Sequence, residues 1–314
     1  MSGCSIAAVG ASTCVGTNWR TTRASVRAGI LRFRVGSTAG YGGGTITEAR
    51  CSYLPRTMFG VSRLALLVLG ALDDVLGQLE EGTYPATVVL PARYRPHEDE
   101  LVKIVERYVL ERLGPLRLVY GDGLTAVREV AKRGTRGEPA IVVAGDCLLD
   151  PETLFELSRR GRLLSRERAI GYVPGEGAVA LRLDDAPGAV PRLGALRTAP
   201  AEGLDRGLTE LVRTCHEEAG LDGPFARAVV DTTDVRENAD ALGVVLLRRP
   251  ACLDAGRPPL SASRTLGHLG SAAPLASIAL ATLDASVPSL VLGQTEEHSF
   301  AVVVSPPAES HVVT

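Results

Sequence analysis

The chain has no C-x-x-C pair: its six cysteines, Cys4, Cys14, Cys51, Cys147, Cys215 and Cys252, are scattered singly through 314 residues. That spacing suits neither a zinc site nor a secreted disulfide framework, and it fits reduced thiols in a cytosol. His97, His216 and His311 show no ligand spacing to one another, so no metal is expected. There is no excess of positive charge either. The formal net charge of -2 gives no electrostatic reason to invoke nucleic acid or an anionic membrane surface. No basic segment precedes an apolar one at the N-terminus, and the longest apolar stretch, Leu64 to Leu72, is far too short to span a bilayer. A cytoplasmic protein is therefore expected. The glycine-rich run Gly36 to Gly44 matches neither G-x-x-x-x-G-K-[ST] nor G-x-G-x-x-G ahead of a helix; it reads as a plain connection, and no cofactor is expected.

What remains is an ordinary folding composition, 45% hydrophobic and 22% charged, in a chain long enough to bury a substantial core. Ser5 to Gly10 is a short apolar run suited to a strand buried on both faces. Apolar residues then recur at helical spacing over Val61 to Leu79, followed by the β-branched run Ala86 to Leu90. The alternation continues: helix Glu98 to Leu113, strand Leu116 to Tyr120, helix Leu124 to Arg133, strand Ala140 to Ala144, strand Ala178 to Leu183. Pro187 to Pro191 separates this set from a second one. That set has a strand near Leu193, helix Leu204 to Ala219, strand Ala226 to Asp231, helices Glu237 to Leu247 and Ser271 to Leu283, and strands Ser289 to Leu292 and Phe300 to Ser305. Repeated βα units predict a layered α/β protein of two halves, residues 1–185 and 186–314.

Three segments narrow the fold. Gly171-Tyr172-Val173-Pro174-Gly175-Glu176-Gly177-Ala178-Val179-Ala180-Leu181 joins glycines, which permit positive φ and close backbone packing, to a buried strand. It resembles the G-F-V-x-G-E-G-A-x-x-L segment of β-ketoacyl synthases. Leu266-Gly267-His268-Leu269-Gly270-Ser271-Ala272-Ala273 resembles the K-x-x-x-G-H-x-x-x-A-A-G segment of the same family, whose His opens a small-residue helix. The opening strand Ile6 to Gly10, Val15-Gly16 and the helix ending Arg27-Ala28-Gly29-Ile30 are similar to that family's start. The resemblance implies an α/β fold of thiolase-like type, a five-layer α-β-α-β-α sandwich of two similar halves, with Leu124 to Arg133 as a central helix. It also implies association through the edge strand Leu116 to Tyr120, as a homodimer or heterodimer.

The same resemblance asks for a Cys thiolate at a helix N-terminus, where the dipole lowers its pKa and backbone N–H groups hold an oxyanion. The elbow Val119-Tyr120-Gly121-Asp122-Gly123-Leu124 contains no Cys. Matching its last glycine to the family's A-C-x-x-G puts Tyr120 at the nucleophile position; a one-residue slip offers Gly121. A tyrosine hydroxyl, with an ordinary pKa of about 10, is a poor acyl acceptor. Registering the family's H-G-T-x-T-x-x-N-D on Asn238 puts Asp231 at its first His, and an anion there cannot stabilise an oxyanion. Ser263 stands for the expected Lys, Glu296 to Phe300 for a glycine-rich loop, and only His268 survives. Cys147, Cys14 and Cys51 are the substitute nucleophiles that come into question. The leading expectation is a non-catalytic pseudo-subunit or adaptor, with an acyl carrier protein, an active synthase subunit or a secreted effector as candidate partners. The alternative is an acyltransferase that uses His268 with Asp231 or Asp122 and no elbow Cys.

Overall fold

The computed structural model describes residues 4–37, 45–109, 112–136, 139–165, 171–184, 190–201, 204–231, 236–254, 256–284, 286–295 and 297–307. Most of the expected Gly36 to Gly44 connection, most of the Pro187 to Pro191 separator, Glu296 and His311 lie outside the described residues. In chain order the elements are β1 (Cys4–Thr13), α1 (Trp19–Ala28), β2 (Arg34–Ser37), β3 (Thr45–Glu48), α2 (Gly60–Leu76), β4 (Tyr84–Leu90), α3 (Glu98–Val109), β5 (Leu113–Tyr120), α4 (Gly123–Arg136), β6 (Ala140–Cys147), α5 (Pro151–Arg159) and β7 (Glu176–Asp184). There follow β8 (Arg192–Leu193), β9 (Arg197–Pro200), α6 (Leu204–Ala219), β10 (Arg227–Val230), α7 (Arg236–Arg248), β11 (Leu260–Ser261), α8 (Ser263–Leu266), α9 (Ala273–Ala281), β12 (Ser289–Gln294) and β13 (His298–Ser305).

One strand order occurs twice. β5-β4-β6-β7-β1 is followed along the chain by β11-β10-β12-β13-β8, so each set, numbered by itself, runs 3-2-4-5-1. Directions repeat as well: β4 runs parallel to β5 and β6, while β7 is antiparallel to β6 and β1. In the second set β10 is parallel to β11 and β12, and β13 is antiparallel to β12 and β8. The two sets are joined by backbone pairing of β1 with β8 at Cys4↔Leu193 and Ser5↔Arg192.

Helices complete the layers. α2 covers the outer face of the first sheet on β1, β6 and β7, with α3 against it, and α6 with α7 covers β13 of the second. Between the sheets lie α4, packed on β6 and β1, and α9, packed on β10 and β12; the two touch each other. This is the five-layer α-β-α-β-α sandwich, with the Leu124 to Arg133 helix at its centre. α9 suits that place because all 9 of its residues, Ala-Pro-Leu-Ala-Ser-Ile-Ala-Leu-Ala, are buried, as a helix covered on both sides requires. β1 approaches α2 closely enough that a Cβ at Gly10 would lie 2.2 Å from the Ala71 carbonyl oxygen, so only glycine fits there.

Local chemistry sets several ends. Asn18 caps α1 by accepting from the Thr21 N–H at 2.8 Å, and Gly29 closes it with φ 64°. The Gly171 to Leu181 segment behaves differently from expectation at two glycines. Neither Gly175 nor Gly177 has positive φ. They are needed for close approach: a Cβ on Gly175 would lie 3.0 Å from the Leu266 carbonyl oxygen, and one on Gly177 2.9 Å from that of Ser12. The expected single helix from Ser271 to Leu283 is α9 alone, flanked by 3₁₀ turns at Gly270–Ala272 and Thr282–Asp284.

Candidate functional site

A cavity of about 770 Å³ is lined by residues at or just past the carboxyl ends of β5, β6, β10 and β12. Ligand sites in α/β sheets gather at such carboxyl ends. Asp122 and Gly123 enter the lining from the β5–α4 elbow, Asp231 from just after β10, and His268 and Ser271 from the loop between α8 and α9. Arg162 and Tyr172 come from the segment before β7, Thr295 from just after β12. The cavity thus brings Asp122, Asp231 and His268 together, although they are far apart in sequence.

The elbow is built by a cap. Asp122 accepts from the Thr125 backbone N–H at 3.0 Å and from its hydroxyl at 2.9 Å, so α4 starts at Gly123 and a carboxylate sits at the positive end of the helix. A Cβ on Gly123 would lie 2.5 Å from Cγ and 2.8 Å from Cδ of Pro274, in the first turn of α9. The N-terminus of the central helix therefore carries no side chain, and the Pro274 ring fills the adjoining space.

A buried carboxylate holds the loop that carries His268. Asp146, near the end of β6, accepts from Cys147 N–H at 2.7 Å and Ser271 N–H at 2.8 Å and pairs with Arg93. Gly270, at φ 54°, presses against it: a Cβ there would lie 2.0 Å from Asp146 Oδ2. Ser271 also donates to the Gly121 carbonyl at 3.3 Å, tying loop to elbow. Sequence reasoning did not single out Asp146, yet a charged residue at the end of the apolar run Ala140 to Gly145 was a visible signal.

No protein-family model and no curated relative matches the chain. Solved structures do. The ishigamide ketosynthase/chain length factor superposes with a TM-score of 0.73 at 17% identity, covering 98% of this chain and 100% of that one. The ketosynthase in the AntDE:AntF complex with its type II acyl carrier protein gives 0.74 at 12%, over 97% and 99%. ChlB3, described as an acyltransferase, gives 0.59 at 17%, over 97% and 99%. The chain has the ketosynthase fold.

Within the ketosynthase fold the residues singled out from sequence fall in distinct places. Tyr120 is the last residue of β5, three residues ahead of the first helical one, and is absent from the cavity lining. Its ring lies under the Arg95 guanidinium at 5.5 Å, and burial with the nearby Glu98 charge pushes its hydroxyl up to about 12. The helix-terminal position is instead Gly123. His268 does not open a helix: it lies in the turn between α8 and the Gly270–Ala272 3₁₀ turn, with its N–H donating to the Val173 carbonyl at 2.8 Å and its own carbonyl accepting from Gly175 N–H at 3.0 Å. Its ring stacks on Tyr172, centroids 4.3 Å apart. Burial pulls its pKa down to about 4, so the ring is neutral at pH 7, and among the described residues the buried Nδ1 has no hydrogen-bond partner. Asp231 is buried beside the cavity, its N–H donating to the Leu292 carbonyl at 2.9 Å. Ser263 shares a 2.9 Å hydrogen bond with Ser261 and does not line the cavity.

All six cysteines are buried and reduced. Burial, reinforced by the Glu176 carboxylate, pushes Cys14 up to about 12 and holds Cys51 and Cys147 well above the usual thiol range. Glu176 itself is locked: Arg63 grips both its oxygens, Cys51 N–H donates to it at 2.7 Å and the Cys147 thiol at 3.3 Å. None of the three substitute thiols has the environment of a thiolate. Among the described residues no group of His, Cys, Asp and Glu could hold a metal ion, and no helix is long and apolar enough to cross a membrane.

Proposed function

We propose that this chain is a non-catalytic member of the ketosynthase-fold proteins, acting as a pseudo-subunit of an active synthase or as a protein-binding adaptor. One observation carries the reading: the elbow ahead of the central helix, where the sequence resemblance calls for a thiolate at Tyr120 or, one residue on, Gly121, holds no Cys, and the first helical residue is Gly123 with the Pro274 ring against it. Charge supports it. The cavity lining sets Asp122, Asp146, Asp231 and Glu297 against Arg160 and Arg162, an acidic balance that disfavours a malonyl carboxylate and a developing oxyanion. Candidate partners are an acyl carrier protein, an active synthase subunit or a secreted effector. Pairing would use β5, which ends the strand order and so leaves an edge open, in a homodimer or a heterodimer. The test is intact-mass spectrometry after incubation with acyl-CoA and acylated carrier protein. The expected result is no adduct; a stoichiometric acyl group on any cysteine or on Tyr120 would overturn the proposal.

A second reading is favoured by the shared cavity: an acyltransferase in which neutral His268 acts as general base with Asp122 or Asp231 nearby. Acyl transfer to a small acceptor without a covalent intermediate, lost in His268→Gln and kept in the cysteine variants, would select it.

A further inference from the structure

A second pocket, sharing no lining residue with the first, lies between α1 and the β10–β11 edge of the second sheet. We infer that it binds a small organic anion, a carboxylate carrying an apolar body. The inference stands apart from the proposed function and needs neither reading of the ketosynthase-fold cavity.

The chemistry of the walls is two-sided. Val26, Phe225 and Leu253, all buried, supply an apolar floor. Around it stand Arg27, Arg227 and Arg257 against a single acid, Asp254. Two of the guanidiniums are anchored by backbone carbonyls: Arg27 donates to Leu283 at 3.2 Å and Arg257 to Ala226 at 3.2 Å. Asp254 is already engaged, accepting from Gly256 N–H at 2.9 Å and lying 3.4 Å from Arg257 Nε. A guanidinium has five N–H donors in a planar fork, so one anchoring bond orients the group and leaves most donors for a ligand.

That combination selects against the other classes. A cation would face the arginines, and a neutral apolar molecule would leave the remaining donors of Arg27 and Arg257 unused. A carboxylate can take two parallel N–H bonds from one guanidinium, the strongest form of this contact, while its body rests on Phe225 and Leu253. Size sets the body: the pocket volume is about 330 Å³, at the low end for ligand sites, and at about 30 Å³ per water-sized unit it holds roughly ten non-hydrogen atoms. Octanoate fits that measure.

The experiment titrates the whole chain, isotope-labelled, with octanoate, octylamine and acetate, following backbone amide shifts by NMR. Saturable shifts with octanoate at Val26, Phe225 and Leu253 are expected, with none from octylamine and weak ones at most from acetate. Arg257→Glu and Arg27→Glu should each weaken octanoate roughly tenfold or more. Both side chains are exposed, and an unchanged melting temperature of the free variants would show that the fold is intact. Equal binding of octylamine, affinity indifferent to charge reversal, shifts clustered around Asp122 and His268 instead, or no saturable shift at all would each overturn the assignment.

Discussion

Adding one carbon at Gly123 should weaken this protein, against the usual rule for helices. Gly→Ala within a helix ordinarily gains up to about 1 kcal/mol through backbone entropy and propensity. Here the new Cβ would stand 2.5 Å and 2.8 Å from two ring carbons of Pro274. A proline ring has no rotamer to escape into, and α9 is packed on both sides, so the strain must be taken up by helix displacement. Overpacking of that kind costs about 1–3 kcal/mol. Gly123→Ala is therefore expected to lower stability by about 1–2 kcal/mol after the propensity gain. Pro274→Ala removes both clashing carbons, so the double variant should be more stable than the two single changes sum to, with a coupling of about 1–2 kcal/mol. Urea denaturation of the four proteins at fixed slope gives the cycle. If Gly123→Ala matches or exceeds the wild type, or the coupling lies within about 0.3 kcal/mol of zero, the packing account of the elbow is wrong and with it the main support for a non-catalytic protein.

Other consequences follow from buried charge. Arg63→Met strands the Glu176 carboxylate in a fully buried site and should cost about 3–5 kcal/mol in urea denaturation, largely recovered in Arg63→Met/Glu176→Leu; a loss under about 1 kcal/mol would contradict it. His268 has a native pKa of about 4 against 6.5 unfolded, so the unfolded chain binds the proton more tightly. Its contribution is present in full above pH 6.5 and is lost as pH falls toward 4, about 3 kcal/mol in all. An NMR titration placing the ring near 6.5, or a pH profile unaltered in His268→Phe, would sink this. A thiol reagent should label none of the six cysteines in the native protein over minutes and all of them in urea; rapid native labelling would refute the burial assigned to them.

The sandwich was readable because its units are local. Apolar periodicity over Val61 to Leu79 and the β-branched runs at Ala86 and Ala140 identify buried helices and strands whatever surrounds them, and order then leaves few ways to stack them. α5 passed unnoticed although Asp150-Pro151, a cap-type residue ahead of proline, is a usable start signal; in the structure the Asp150 carboxylate makes no cap bond and accepts from Gly60 N–H and the Tyr94 hydroxyl instead. The elbow shows how far glycine matching reaches. Gly121 and Gly123 both permit the turn, and matching the last glycine puts Tyr120 at the nucleophile position by resemblance; the Asp122–Thr125 cap, also present in the sequence, is what starts the helix at Gly123. The Asp146–Gly270 contact was beyond reach because it joins segments more than a hundred residues apart, and nothing at either end names the other.

The place of β1 has a consequence for the order in which the chain is made. Its sheet partners are β7, with Thr13 opposite Gly177, and the short β8. At about 5–20 residues per second on the ribosome, β7 emerges roughly ten to thirty seconds after β1. Through that interval an apolar strand has both backbone edges unmet, the condition under which nascent chains associate with one another. α2 is synthesised early and packs directly on β1, with Gly10 seated against Ala71. A β1–α2 pair can shelter the strand's face while its edges wait, and a bulkier residue at position 10 would expose that face during synthesis, lowering the yield of soluble protein before the finished fold is ever tested.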